Sequence, residues 1–209
     1  MIVKVCGMRE AENIQAVEAS GADWLGFIFW PKSSRFVSAV PAYLPTKAKR
    51  IGVFVNAGIE EVMQHVKAYG LEAVQLHGTE SAEYVRVLKA RWAGTIIKAI
   101  SVSCRDDVAT YSDYEGLVDY LLFDTKCKTV GGSGEHFDWT VLTHYVGATP
   151  FLLSGGIGPD DAERIRAFLA TSGSPAGKCV GIDLNSRFES APALKDISKL
   201  REFIKKIRL

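Results

Sequence analysis

Eight short apolar runs rich in β-branched and aromatic residues recur along the chain, at 2–6, 24–29, 51–55, 73–77, 95–100, 120–125, 150–154 and 178–184. Their length and composition predict strands. Amphipathic stretches stand between them, at 10–19, 59–69, 81–89, 108–113, 138–145 and 160–169, with a last one at 194–207. These predict helices. The gap after the second run is weaker, because Pro41 and Pro45 leave room there for only a short helix. Strands alternating with helices through right-handed crossovers close most economically into a (β/α)8 barrel, a single TIM-barrel domain over residues 1–209. An open doubly wound α/β sheet is the alternative. Against it stands Cys6-Gly7-Met8-Arg9 after the first strand, where a dinucleotide-binding sheet carries a Gly-rich fingerprint.

In a parallel barrel the C-terminal strand ends gather on one face, so residues remote in sequence meet there. Side chains alternate along each strand. With Cys6 at the mouth, Lys4 lies beneath it, Leu122 beneath Asp124 and Gln75 beneath His77. Cys6 reads either as a small buried hydrophobe or as a thiolate base, and a Lys4 cation beside it favours the thiolate. Lys4 reads equally as half of a structural ion pair. Asp124 ends the apolar run Tyr120-Leu121-Leu122-Phe123. It is either an acid whose pKa burial raises, able to give up a proton near neutral pH, or a cap in the loop that follows.

Two glycine-rich stretches, Gly131-Gly132-Ser133-Gly134 and Ser154-Gly155-Gly156-Ile157-Gly158, follow the sixth and seventh strands. Glycines at strand ends let backbone N–H groups approach an anion, and the loops after strands seven and eight of such barrels often form a phosphate site. Either cluster alone also reads as an ordinary turn. The eighth strand brings Asp183-Leu184-Asn185-Ser186-Arg187 to the same place. In the basic segment 31–35, Arg35 is suited to clamp a carboxylate or phosphate, or to sit in solvent.

Composition narrows the function. At 209 residues and 47% hydrophobic, the chain buries one substantial core. A net charge of +1 without a long run of like charges offers no footprint for nucleic acid or an anionic membrane, so phosphate recognition must be local. Cys6, Cys104, Cys127 and Cys179 lack zinc or redox spacing, which points to a reducing cytoplasm. The four histidines show no metal-ligand spacing, and no metal is expected. Met1 leads directly into a strand, so neither a signal peptide nor a membrane span is expected.

The order and spacing of several motifs carry a resemblance. They are Lys4-Val5-Cys6-Gly7, Gly26-Phe27-Ile28-Phe29 with Pro31-Lys32-Ser33-Ser34-Arg35, Gly52-Val53-Phe54-Val55-Asn56 and Val74-Gln75-Leu76-His77-Gly78 in the first half. The second half adds Phe123-Asp124-Thr125, Gly131-Gly132-Ser133-Gly134 with Phe137-Asp138-Trp139, Leu153-Ser154-Gly155-Gly156-Ile157 and Gly181-Ile182-Asp183-Leu184-Asn185-Ser186. The set resembles the phosphoribosylanthranilate isomerase family of tryptophan biosynthesis over nearly the whole chain. That resemblance implies a phosphorylated small-molecule substrate and an Amadori rearrangement that needs no cofactor. N-(5-phosphoribosyl)anthranilate becomes 1-(2-carboxyphenylamino)-1-deoxyribulose 5-phosphate. It also implies Asp124 as general acid and Cys6 as general base, Arg35 on the anthranilate side, and Gly155, Gly156, Asn185 and Ser186 around the phosphate. Gln75, His77 and Asp183 become supporting members of the pocket. Arg187 departs from the pattern, since a glycine commonly follows that serine.

A monomer or a homodimer is expected. Three relatives by chemistry fit less well. The histidine-pathway aminoaldose isomerase uses a carboxylate at two strand ends, where this chain has Cys6 and Ala99-Ile100-Ser101. An indoleglycerol-phosphate synthase needs a lysine at the mouth and residues ahead of the first strand. A non-catalytic phosphosugar-binding barrel has no use for Cys6 and Asp124 together.

Overall fold

The computed structural model describes residues 1–125, 139–170 and 176–209. The glycine-rich stretch 131–134, the segment Phe137-Asp138 and Cys127 lie outside the described residues. Eight parallel strands close into a barrel in sequence order. They are β1 (Ile2–Cys6), β2 (Trp24–Ile28), β3 (Lys49–Phe54), β4 (Ala73–Leu76), β5 (Thr95–Val102), β6 (Tyr120–Thr125), β7 (Phe151–Ser154) and β8 (Cys179–Leu184). The closing seam pairs β1 with β8, placing Lys4 opposite Asp183.

Around the barrel lie α1 (Ala11–Ala19), α2 (Ile59–Tyr69), α3 (Ala82–Arg91), α4 (Arg105–Ala109), α5 (Ala162–Ala170) and α6 (Ile197–Ile207). Period-two alternation divides the core in two. Trp24, Ile51, Ala73, Ile97, Ala99, Leu122 and Leu152 fill the barrel interior. Val3, Val5, Leu25, Phe27, Leu121, Phe123 and Ile182, one position out of phase, pack outward against the helices. Trp24 and Tyr120 meet edge to face at 5.3 Å within the interior layer.

Several elements differ from the sequence expectation. Residues 29–48 form no helix; Val37 N–H donates to the Ile28 carbonyl at 3.0 Å and Phe36 bridges β2. The carboxylate of Glu18 then collects the N–H groups of Thr46, Lys47 and Ala48, holding the bend through which the chain enters β3. The helix expected at 108–113 begins earlier, at Arg105, because Asp107 accepts from the N–H groups of Ser103 and Cys104 and so caps an upstream turn. A 3-10 turn over Thr110–Tyr114 continues it. Of the helix expected at 138–145, the described part is a 3-10 turn, Trp139–His144.

The helix expected at 194–207 starts three residues late. Leu194–Lys195 instead forms β10, antiparallel to β9 (Glu189–Ala191), and Asp196 caps α6 by accepting from Lys199 N–H at 3.1 Å. No helix among the described residues is long and apolar enough to cross a membrane.

Candidate active site

Cys6 ends β1 with its side chain inward, in a space that Gly26 of β2 leaves open: a Cβ at Gly26 would lie 2.9 Å from Cys6 Sγ. The thiol is buried. Below it Lys4 is fully buried, and its Nζ lies 2.9 Å from Asp183 Oδ1 across the seam. Burial pushes the Cys6 pKa up, and the nearby Lys4 and Lys195 cations pull it down without overcoming that effect. The net shift is upward. This corrects the expectation that Lys4 brings the thiol pKa below its ordinary value: Lys4 does favour the thiolate, but burial outweighs it and the Asp183 carboxylate opposes it. Burial also works against the Lys4 ammonium, but Asp183 and Cys6 more than compensate and hold its pKa above the ordinary value.

β4 and the residues after it set a chain of hydrogen bonds. The backbone N–H of His77 donates to the Phe54 carbonyl at 2.8 Å, extending the register of β3. Gln75 Nε2 donates to His77 Nδ1 at 2.8 Å, and His77 Nε2 stands 3.1 Å from Asp124 Oδ2. With Nδ1 accepting, the ring proton sits on Nε2 and points at Asp124 Oδ2. Gln75 Oε1 is buried without a hydrogen-bond partner among the described residues.

The remaining wall comes from the turns after β7 and β8. Gly155 and Gly156 have φ of 93° and 68°, the left-handed region that glycine tolerates best. Asp161 Oδ2 accepts from Gly158 N–H at 2.7 Å and so ties this loop to the start of α5. After β8, Asn185 leads into a 3-10 turn over Ser186–Phe188.

Together these elements enclose a cavity of about 190 Å³ at the C-terminal mouth. Cys6, Gln75, His77, Asp124, Gly155, Gly156, Asp183, Asn185 and Ser186 all line it. Arg35 does not. Its Nε and Nη2 embrace the Glu189 carboxylate, the Nη2 contact being 2.6 Å, which raises the guanidinium pKa further. Arg35 nevertheless stays beside the mouth, because a Cβ on Gly7 would meet Arg35 Cδ at 2.6 Å and Asn185 Oδ1 at 2.9 Å.

Sequence reasoning missed Glu189 and Lys195. The Lys195 ammonium is buried and donates to Glu189 Oε1 at 2.6 Å and Asn185 Oδ1 at 2.8 Å, while its backbone is bound by Asn13. Burial pushes the Lys195 pKa down, and Glu189 restores only part of the loss. One signal was available in the sequence: Pro192-Ala193 marks a turn, and Asp196 marks a helix start one residue after Lys195.

A closed parallel barrel with a polar cavity at the C-terminal ends of its strands defines a (β/α)8-barrel enzyme. The profile of the family described as N-(5'phosphoribosyl)anthranilate (PRA) isomerase matches residues 3–206. The N-(5'-phosphoribosyl)anthranilate isomerase of Phocaeicola vulgatus is 49% identical over 208 residues, covering 100% of this chain and 98% of the relative. The crystal structure of phosphoribosyl anthranilate isomerase from Thermotoga maritima superposes with a TM-score of 0.81 at 32% identity, covering 100% of this chain and 99% of that one. A phosphoribosyl anthranilate isomerase in complex with reduced 1-(o-carboxyphenylamino)-1-deoxyribulose 5-phosphate superposes with a TM-score of 0.78 at 30% identity and the same coverage. The chain belongs to the phosphoribosylanthranilate isomerase family, the isomerases of tryptophan biosynthesis.

Proposed function

We propose that this chain carries out the Amadori rearrangement of N-(5-phosphoribosyl)anthranilate with Asp124 as general acid and Cys6 as general base. The observation that carries the reading is their convergence: β1 and β6 bring the two groups to one cavity, whose far wall is made by the Gly155-Gly156 and Asn185-Ser186 loops. A phosphate held at those loops leaves the ribose between the thiol and the carboxylate. Asp124 gives its proton to the ring oxygen as the C1–O bond breaks, and the amine nitrogen lone pair forms the iminium. The Cys6 thiolate then removes the C2 proton, and the electron pair of that C–H bond becomes the C1=C2 bond of an enaminol, which tautomerises to the ketone product. His77, whose Nε2–H bonds to Asp124 Oδ2, orients the Asp124 carboxyl group for its proton transfer. Arg35 stands on the anthranilate side, its direction fixed by Glu189.

Turnover followed by the loss of the fluorescence of N-(5-phosphoribosyl)anthranilate tests the roles. Asp124→Asn keeps the shape but has no proton to give, and Cys6→Ala has no base. Each is expected to lower kcat by about 10²–10⁴-fold or more with a much smaller change in KM. A kcat close to wild type in either variant removes that residue from the mechanism.

A further inference from the structure

We propose that Arg187 binds the substrate phosphate, an ion-pair contact that this chain adds to the subsite between the β7 and β8 loops. The inference rests on the phosphosugar reading above and deepens it. Among the described residues lining the cavity, Arg187 alone carries a lysine or arginine charge. The groups beside it, Gly155, Gly156, Asn185 and Ser186, are uncharged, and the two lining carboxylates are Asp124, bonded to His77, and Asp183, paired with Lys4. A phosphate dianion seated on neutral donors alone would keep its full charge.

The place of the guanidinium follows from its neighbours. Phe188 is fully buried and packs on Phe203 of α6 at 4.9 Å, which anchors the Ser186–Phe188 turn and leaves Arg187 on its exposed side. From there the side chain reaches the β7 loop. A Cβ at Gly158 would lie 3.1 Å from Arg187 Nε, 3.2 Å from Nη2 and 3.3 Å from Cζ, so the guanidinium itself rests on that backbone. It therefore spans the two loops that flank the phosphate position. Arg187 makes no hydrogen bond or ion pair with any described residue. Its planar fork of N–H donors is free to match two phosphate oxygens. A contact to phosphate, remote from C1 and C2, holds substrate and transition state equally and lowers KM without raising kcat.

Three variants separate charge from shape: Arg187→Gly, Arg187→Gln, which keeps length and loses charge, and Arg187→Lys, which keeps charge and loses the fork. Two readouts apply to each. One is kcat and KM with phosphoribosylanthranilate. The other is the dissociation constant of inorganic phosphate from the rise in Tm with its concentration, at ionic strength held constant with chloride. The Gly and Gln variants are expected to raise KM and the phosphate Kd together, by roughly tenfold or more, with kcat within about twofold of wild type. The Lys variant falls between. A wild-type protein that binds phosphate in an Arg187-dependent way yet does not turn over the substrate would sink the function reading and support the phosphate contact. A Gln variant with wild-type KM and phosphate Kd overturns the proposal, whatever the Gly variant does.

Discussion

Cys6 has to act as a base from a buried position, where the charged form is disfavoured. Its pKa lies above the ordinary thiol value of 9.0, chiefly through burial. The active thiolate therefore forms only as pH rises, and kcat/KM is expected to climb through the alkaline range with its lower midpoint above 9. A midpoint near 7 from the pH–rate profile would mean that substrate binding, or another group, supplies the basicity. Lys4 acts in two ways at this position. Lys4→Met strands the buried Asp183 carboxylate and is expected to cost about 3–5 kcal/mol of stability by urea titration at pH 7. Because the folded pKa of Lys4 is raised, its contribution is fully present below 10.5 and is lost as pH rises through the folded value. The gap in stability between wild type and variant should therefore narrow only above that pH. In the variant, the rate of Cys6 alkylation should also titrate at higher pH than in wild type. An unmoved midpoint in a folded Lys4→Met protein would make Lys4 a structural ion pair only.

Single elements are held by buried polar groups as much as by apolar faces. The turn after β4, which carries His77, is fixed by Glu80 and Lys98. Glu80 accepts from the N–H groups of Asn56 and Gly78, and Lys98 Nζ donates to Gly78 O at 2.7 Å and to Glu80 Oε2 at 2.9 Å. Glu80→Ala leaves a buried ammonium and two backbone donors without their partner, and should cost about 3–5 kcal/mol in denaturant midpoint. Glu80→Leu with Lys98→Met should cost less than the sum of the two single losses, and strict additivity in that cycle would show that the pair is not coupled. The β9–β10 hairpin does similar work at the mouth, where Glu189 and Lys195 are its contributions. Its buried Ala193 takes φ 66°, a left-handed turn conformation unusual for a residue with a Cβ.

Closure of the barrel joins the two ends of the chain: the Lys4–Asp183 pair spans 179 residues, and α6 packs against both α1 and α5. Leu200, Phe203, Ile204 and Ile207 of α6 are buried in the outer core. Removing residues 197–209 should therefore abolish the cooperative thermal transition seen by circular dichroism, and a sharp transition within a few degrees of the full chain would show that the barrel closes without α6. At this scale the sequence was most legible. Period-two runs separated by amphipathic stretches placed all eight strands to within two residues, because a strand's two faces report directly on which neighbours it meets. The same alternation put Lys4 under Cys6 and Gln75 under His77, and nine of the ten expected site residues line one cavity. What local pattern did not carry was the partner of each charged group. Lys195 sat in the stretch 194–207 that reads as a helix, and Arg35 in one that reads as a solvated loop charge. Their meeting at Glu189 joins segments 154 and 6 residues apart. The sequence by itself determined the strands, their inward faces and the residues gathered at the mouth, since these follow from local periodicity and chain order. Only the tertiary structure decided the charge pairing around Cys6 and the direction of its pKa, because burial and distance between remote groups exist only once the barrel has closed.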